Sequence, residues 1–357
     1  MKSIKFLQRI RKALNDPDRK PLPDIISEYA RYKISKPLLA EQYFNKYLYS
    51  RHTPNTEDYV ITTGLMKKIW RLNNPDFIPL MRNKQMTEIF FSRHGIPLVK
   101  SYAYNNHTMF FVDNEHVHIR DASGFVGFMH DLRARGLWKS PSMIIKKAED
   151  SSQGYGIFKA SYEEFQADKQ LAQKLYKSFI QSRYLYQDFI VQHPDLNTLN
   201  PNSVNTLRID TFTDRDNKIH VYNAALRISS GAAFLDSAPN GGIQVGVDLA
   251  TGKLLHVAFG DFENGFARMY THHPLTGIEF QGFQLPYFKE SIELARTAAS
   301  HLPEIKVAGW DIAIQPNGPV MVEGNNFPGI SFSEISQRGF RNNEIVQKMI
   351  EEALSIK

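Results

Sequence analysis

Apolar positions along the chain follow two periods, and the strand period is plainest near the C-terminal end. Two runs rich in Val, Ile and Met, Val307 to Ile314 and Val320 to Val322, flank Gln315-Pro-Asn-Gly-Pro319, a turn composition that excludes both helix and central strand. The pattern predicts a β-hairpin. With the loop centred on Asn317, Asp311 faces Glu323 across the ladder on one face, their Cβ atoms roughly 5 Å apart. Asn325, two residues beyond Glu323, returns to that face. A loop one residue longer or shorter would put the two acids on opposite faces.

The helical period appears first at the front of the chain. Phe6, Leu7, Ile10 and Leu14 recur opposite Lys5, Arg9, Arg11 and Lys12, a basic amphipathic helix that either packs on the body of the protein or docks on a membrane surface or a partner. Pro17, Pro21 and Pro23 end it, and Ile25 to Tyr49 continues with mixed helical periodicity. Asn83 to Gly95 predicts a helix with Met86, Ile89 and Phe90 as its apolar stripe and a glycine cap, followed by extended chain from Ile96 to Val99. Met143 to Phe158 reads as strand, small polar loop and strand, Phe165 to Gln181 as a helix, and Tyr184 to Gln192 as an apolar strand. Asn205 to Phe212 and Lys218 to Ile228 form a hairpin around Thr213 to Asn217, a second hairpin turns at Ala250 to Lys253, and an amphipathic helix from Pro286 to Leu302 leads into the Asp311 hairpin. There is no internal repeat and no low-complexity segment.

Composition narrows the classes. A chain of 357 residues allows two or three domains with a sizeable core. No run of about 18 apolar residues occurs, and the first twelve residues lack the apolar stretch of a secretory signal, so the expectation is a cytoplasmic protein. The absence of cysteine excludes disulfides, thiolate metal sites and a cysteine nucleophile. A formal charge of +6 suits nucleotides as well as nucleic acid. The aromatics are not interleaved with a basic stripe and acids stand between the lysines, so an RNA-binding signature is missing.

Three constellations carry chemistry. Asp311 and Glu323, placed across a ladder, repel; a cation relieves that repulsion and Asn325 adds a neutral oxygen, which outlines a hard-metal site. Gly154 and Gly156 let a loop close over an anion, with a strand-end lysine, Lys146 or Lys147, adding charge. Arg208 and Arg227 stand within otherwise apolar strands, a costly position unless each meets an anion or lies on a solvated edge. His272 and His273, adjacent on a strand, point to opposite faces and make no zinc pair.

These elements, in this order, resemble the ATP-grasp ligases. The likeness covers Asn83 to the end and implies an α+β fold in which two subdomains clasp ATP, here behind a helical N-terminal region. It divides the chain into residues 1–82 and an ATP-grasp domain of residues 83–357, with a nucleotide lid at about 140–192 and a metal and phosphate subdomain at about 200–335. By this resemblance Lys84 contacts ATP at the head of its helix. Lys147 or Lys146, with Asp150, Ser152, Gln153, Gly154 and Gly156, forms the phosphate loop in register with Lys-Pro-x-Asp-Gly-Ser-x-Gly-x-Gly, Ala148 replacing the proline. Gln187 and the backbone of Asp188, Phe189 and Ile190 serve adenine, with His193 and Asp195 nearest the ribose. Asp311, Glu323 and Asn325 hold one or two magnesium ions, with manganese as an alternative. Arg208, Arg227 and Asn240, the last opening an Asn-Gly-Gly loop, serve the reacting groups.

Ser203 to Arg208 and Ala238 to Gly242, with the tyrosine-rich front, are similar to the sugar-transfer associated branch. That implies a carboxylate-amine ligase that forms an acyl phosphate and then an amide, joining a small amine to a sugar acid or glycan, with release of ADP and phosphate. The alternatives are a peptide ligase or kinase on the same scaffold, or a nucleotide-binding module without turnover. No nucleic-acid partner is expected.

Overall fold

The β-branched and aromatic runs named above pair into two antiparallel sheets, each inside its own compact unit. A computed structural model describes residues 2–149, 154–236, 241–260 and 268–356. One unit joins residues 1–79 to 192–357; the other is residues 80–191. No helix among the described residues is long and apolar enough to cross a membrane.

In the first unit the chain opens with α1 (Lys2–Leu14), α2 (Leu22–Ser35), α3 (Pro37–Ala40) and α4 (Thr63–Trp70). Phe6, Ile10 and Ala13 of α1 pack with Ile25, Tyr29, Tyr32, Tyr43, Phe44 and Tyr49, so the inner face of the basic helix meets a tyrosine-rich core. Lys46, fully buried there, pairs with Glu334, whose Oε1 also accepts the N–H groups of Val60 (2.6 Å) and Ile61 (3.0 Å). α5 (Ile78–Arg82) then leads into the second unit.

That unit starts with α6 (Lys84–Arg93), capped by the Asn83 side chain on the N–H groups of Gln85 and Met86 and ended by Gly95 at φ +69°. Its sheet has the order β3-β2-β1-β6-β4-β5, formed by β1 (Ser101–Asn106), β2 (Met109–Val112), β3 (Glu115–His118), β4 (Ser142–Lys147), β5 (Ile157–Ser161) and β6 (Arg183–Asp188). Helices α7 (Ala122–Ala134), α8 (Tyr162–Ala167) and α9 (Lys169–Phe179) complete the unit; Phe125, Phe128, Phe165 and Phe179 pack with Met143, Ile145 and Tyr186 of the sheet.

Two expectations are corrected here. The α6 stripe of Met86, Ile89 and Phe90 faces outward, with Met86 and Ile89 exposed, while Thr87 and Phe91 are buried; at one residue in three or four, either set satisfies helical spacing. The single helix expected from Phe165 to Gln181 is two, because a Ser161–Glu164 capping box starts α8 and the Asp168 carboxylate starts α9 afresh.

Back in the first unit, after α10 (Pro194–Leu199), seven strands run in the order β11-β10-β9-β8-β7-β12-β13. They are β7 (Thr206–Thr213), β8 (Ile219–Ser229), β9 (Gly242–Val247), β10 (Leu254–Gly260), β11 (Met269–Tyr270), β12 (Val307–Gln315) and β13 (Gly318–Asn325). α11 (Phe288–Ser300) packs on β7, β8, β12 and β13, while α12 (Ile330–Ser336) reaches β8 and β9. α13 (Glu344–Ser355) closes a further core with Ile61, Ile69, Phe212 and Tyr222.

The hairpin loop differs from the expected one, yet its acids still face each other. Gln315 pairs with Gly318, so the loop is the two residues Pro316 and Asn317 rather than a loop centred on Asn317, and that register alone would set Asp311 opposite Val322. A bulge between Asp311 and Ile312 leaves Val322 without a partner and brings Asp311 opposite Glu323 and Gly309 opposite Asn325. The strain of the tight turn falls on Gly318, at φ +129°.

Candidate functional site

On the seven-stranded sheet, β7 and β8 are central, which disposes of the solvated-edge reading of Arg208 and Arg227. Directly paired residues share a face, so Arg208, opposite Asp311 in the ladder, projects to the side that carries Glu323 and Asn325. Arg208 grips Asp311 in a fork, Nε to Oδ1 at 2.6 Å and Nη2 to Oδ2 at 2.9 Å; Arg227 Nη1 donates to Oδ2 at 3.2 Å. Asn325 Nδ2 donates to Asp311 Oδ2 at 3.3 Å and to Glu323 Oε1 at 3.5 Å. Five residues singled out in the sequence thus meet at one place.

The electrostatics correct one expectation. The two acids are not left to repel: burial alone would raise the Asp311 pKa, but Arg208 and Arg227 outweigh it and hold the carboxyl at about 2. Arg208 is pushed above its ordinary value by the same partner, against the effect of burial. The fork uses Nε and Nη2, and Arg208 Nη1 has no hydrogen-bond partner among the described residues.

Two acids of this face escaped sequence reasoning. Asp236, beyond β8, accepts from Thr206 N at 3.2 Å and from the Thr206 hydroxyl, with Oδ1 4.0 Å from Arg227 Nη2; Arg227 therefore lies between two carboxylates. Asp210, two residues after Arg208, is buried, its Oδ2 held by Asn223 Nδ2 (2.7 Å) and the Ser333 hydroxyl (2.5 Å), while Oδ1 has no hydrogen-bond partner. Burial raises the pKa of both. Gly309 is required beside them, since a Cβ there would lie 2.7 Å from Asp210 Oδ1 and 3.2 Å from Arg208 Cδ. The arginine-in-strand and hairpin-acid signals pointed toward this neighbourhood, but nothing in the sequence marked these two acids. Asn240 lies outside the described residues; Gly241 next to it has φ +87°.

Among the described residues no three His, Cys, Asp or Glu side chains cluster as a metal site. The Asp311, Glu323, Asn325 set is smaller: two carboxylates and an amide, the hard-oxygen composition that binds magnesium when substrate phosphates complete the shell. Asn325 turns Nδ2 toward both acids, and turning the amide over presents Oδ1 instead. The donor types are those magnesium takes, and both Asp311 oxygens also accept from Arg208.

In the second unit, the Lys84 N–H donates to Ala148 O at 2.9 Å, so the head of α6 sits at the end of the lysine strand β4. Gly154 and Gly156 have φ +82° and +75°, and Lys147 N–H donates to Gly156 O at 2.9 Å. Lys146 is buried and lies opposite Leu185 in the ladder, on the sheet face away from Ile145 and Tyr186 of the core; burial raises the pKa of nearby Glu88, with the Ser101 hydrogen bonds and the Lys146 charge opposing it; Lys147 is half-buried and pairs with Tyr184. Asp150, Ser152 and Gln153 lie outside the described residues.

Gln187 is buried, its Nε2 donating to Val99 O (3.0 Å) and Ser101 Oγ (3.1 Å). Asp188 Oδ1 accepts from Ser140 Oγ at 3.0 Å. β6 ends at Asp188, and the Phe189 N–H that follows donates to Ser140 Oγ at 3.3 Å. His273 is buried and donates through Nε2 to Ser229 O at 2.9 Å, a packing role rather than a metal pair with His272.

Comparison with solved structures finds distant similarity. The ADP complex of purK, an N5-carboxyaminoimidazole ribonucleotide synthetase, is 11% identical over 83% of this chain and 58% of that one, with a TM-score of 0.43. D-alanyl-alanine synthetase A from Vibrio cholerae O1 is 14% identical over 79% and 68%, with a TM-score of 0.45. The biotin carboxylase domain of Hydrogenobacter thermophilus 2-oxoglutarate carboxylase, solved with MgADP, ADP and bicarbonate, is 12% identical over 79% and 47%, with a TM-score of 0.46. This chain therefore spans 58% of the length of the first of these proteins and 47% of the last. No curated relative matches it. Residues 65–348 match the family model of sugar-transfer associated ATP-grasp proteins, well over half of the chain, and the chain belongs to that family.

Proposed function

We propose that the protein is an ATP- and magnesium-dependent carboxylate-amine ligase that forms an amide through an acyl phosphate. The observation that carries the reading is the Arg208–Asp311–Arg227 cluster beside Glu323 and Asn325, two arginines facing a hard-oxygen donor set inside a sheet. Asp311, Glu323 and Asn325 would hold magnesium, which when bound offsets the charge of the ATP phosphates. Lys84 and Lys147, or Lys146 in its place, bind those phosphates, Gln187 and the chain after it take the adenine, and Arg208 Nη1 with Arg227 stabilises the phosphoryl group as a substrate carboxylate attacks it. An amine then displaces phosphate. No side-chain nucleophile is used.

The family description supports a sugar acid or glycan as the carboxylate and a place in polysaccharide synthesis. Use of ATP supports a cytoplasmic setting. A kinase on the same scaffold would release ADP without free phosphate. The test screens uronic acids and short peptides against amino acids by coupled ADP release, with hydroxylamine added to trap an acyl phosphate as a hydroxamate. ADP and phosphate appearing only with both substrates, and a hydroxamate, are expected; AMP and pyrophosphate would contradict the mechanism. Turnover on a peptide carboxylate alone would remove the glycan.

A further inference from the structure

The positive charge of the chain is not spread along it. Residues 1–40 hold ten Lys and Arg against four Asp and Glu, a net +6, and the remaining residues hold 33 of each sign, a net of zero. The whole excess thus sits in α1, α2, α3 and their connections, before the family-matched segment begins at residue 65.

The same stretch exposes apolar side chains. Of the eighteen large hydrophobic residues exposed among the described residues, six lie between Leu7 and Leu38: Leu7 (64%), Leu14, Leu22, Ile26 (67%), Ile34 (87%) and Leu38 (61%). Singly exposed apolar residues need no explanation, but a third of them in a ninth of the chain does. They are not waiting to fold inward, because Phe6, Ile10 and Ala13 of α1 and Ile25, Tyr29 and Tyr32 of α2 already fill the core beneath. Leu7 and Leu14, two turns apart, form an outer stripe of α1 with Arg11 between them, and α1 contains no acidic residue.

We infer that the outer side of α1 docks the protein on an anionic lipid bilayer, Arg11 and Lys12 meeting lipid headgroups while Leu7 and Leu14 enter the interface; Lys20, Arg31 and Lys36 are already paired with Glu28 or Glu57. Charge complementarity selects this occupant: a cationic face with protruding aliphatic side chains matches a surface that is anionic outside and apolar beneath, and the two signals together are what stable peripheral binding takes. The inference does not depend on the ligase reading.

The test is co-sedimentation of the full chain with vesicles of phosphatidylcholine alone and with about a third phosphatidylserine, at low and high salt. Binding to the anionic vesicles, lost at high salt and absent from neutral ones, is expected. Arg11→Glu with Lys12→Glu should weaken it tenfold or more, and Leu7→Ser with Leu14→Ser severalfold, with an unchanged melting temperature showing that each variant is folded. Equal binding to neutral and anionic vesicles, no binding at low salt, or binding that neither variant alters would overturn it. So would concentration-dependent self-association without lipid that both variants abolish, which would assign the face to a second copy.

Discussion

Arg208 clamps Asp311 from the neighbouring strand, Nε to Oδ1 at 2.6 Å and Nη2 to Oδ2 at 2.9 Å, with both side chains largely buried. Removing the acid strands two cations rather than relieving a repulsion. Asp311→Ala should therefore cost about 3–5 kcal/mol, and Asp311→Asn, which keeps an acceptor, less. Glu323→Gln at the half-buried partner should cost under about 1 kcal/mol. Urea unfolding midpoints order the three; equal losses at Asp311 and Glu323 would refute the asymmetry. Because the folded Asp311 pKa lies below its ordinary 3.8, its contribution is complete above that value and is lost as pH falls toward 2.

Gly309→Ala should be destabilising out of proportion to one methyl group. Its Cβ would lie 2.7 Å from Asp210 Oδ1 and 3.2 Å from both Arg208 Cδ and Pro328 Cβ, so a cost of about 1–3 kcal/mol is expected, together with weakened Mg·ADP binding in a thermal-shift titration. Gly127→Ala in α7, with nothing within 4 Å of the new carbon, should instead gain up to about 1 kcal/mol.

His273 links stability to mild acid. Burial holds its pKa below 6.5, and its Nδ1 accepts the Thr276 N–H at 3.3 Å while Nε2 donates to Ser229 O. The unfolded chain takes up the proton first, so the contribution is present above 6.5 and is lost as pH falls through the lower folded value. Melting temperatures from pH 7.5 down to 5 should decline more steeply for the wild type than for His273→Asn; parallel slopes would exclude this residue as the source.

The buried Lys46–Glu334 pair should be asymmetric. Glu334 also holds the Val60 and Ile61 N–H groups, whereas Lys46 has Glu334 and Ile61 O at 2.5 Å. Glu334→Ala is expected to cost about 3–5 kcal/mol, and Lys46→Met less. In a double-mutant cycle the pair should couple by more than about 1 kcal/mol; additivity would show that the two do not act as a pair.

How far the sequence could be read is clearest at the hairpin. The Pro-Asn-Gly turn located it, but the loop is a residue shorter than expected and a bulge at Val322 compensates, a backbone irregularity with no compositional mark. The order of Lys84, the glycine loop, Arg208, Arg227 and the Asp311 hairpin was legible because each is a local pattern, and so was the mixed helix and antiparallel-sheet class. Asp210 and Asp236 were not, since what distinguishes them is burial beside Arg208 and Arg227, a property of strand pairing. Nor was the outward turn of Met86 and Ile89 on α6, where two stripes of equal spacing compete and tertiary packing chooses.

The first unit is interrupted in sequence by the second, and this sets a schedule for its assembly. Lys46 leaves the ribosome 288 residues ahead of Glu334. At about 5–20 residues per second that is a wait of roughly 15–60 s. During it, a cationic, tyrosine-rich N-terminal segment must stay soluble while residues 80–191 emerge and acquire their own core. The N-terminal segment is thus the part of this unit that waits longest for its partners, and slowing synthesis downstream of residue 192 should lengthen the window for holdase chaperones to engage it.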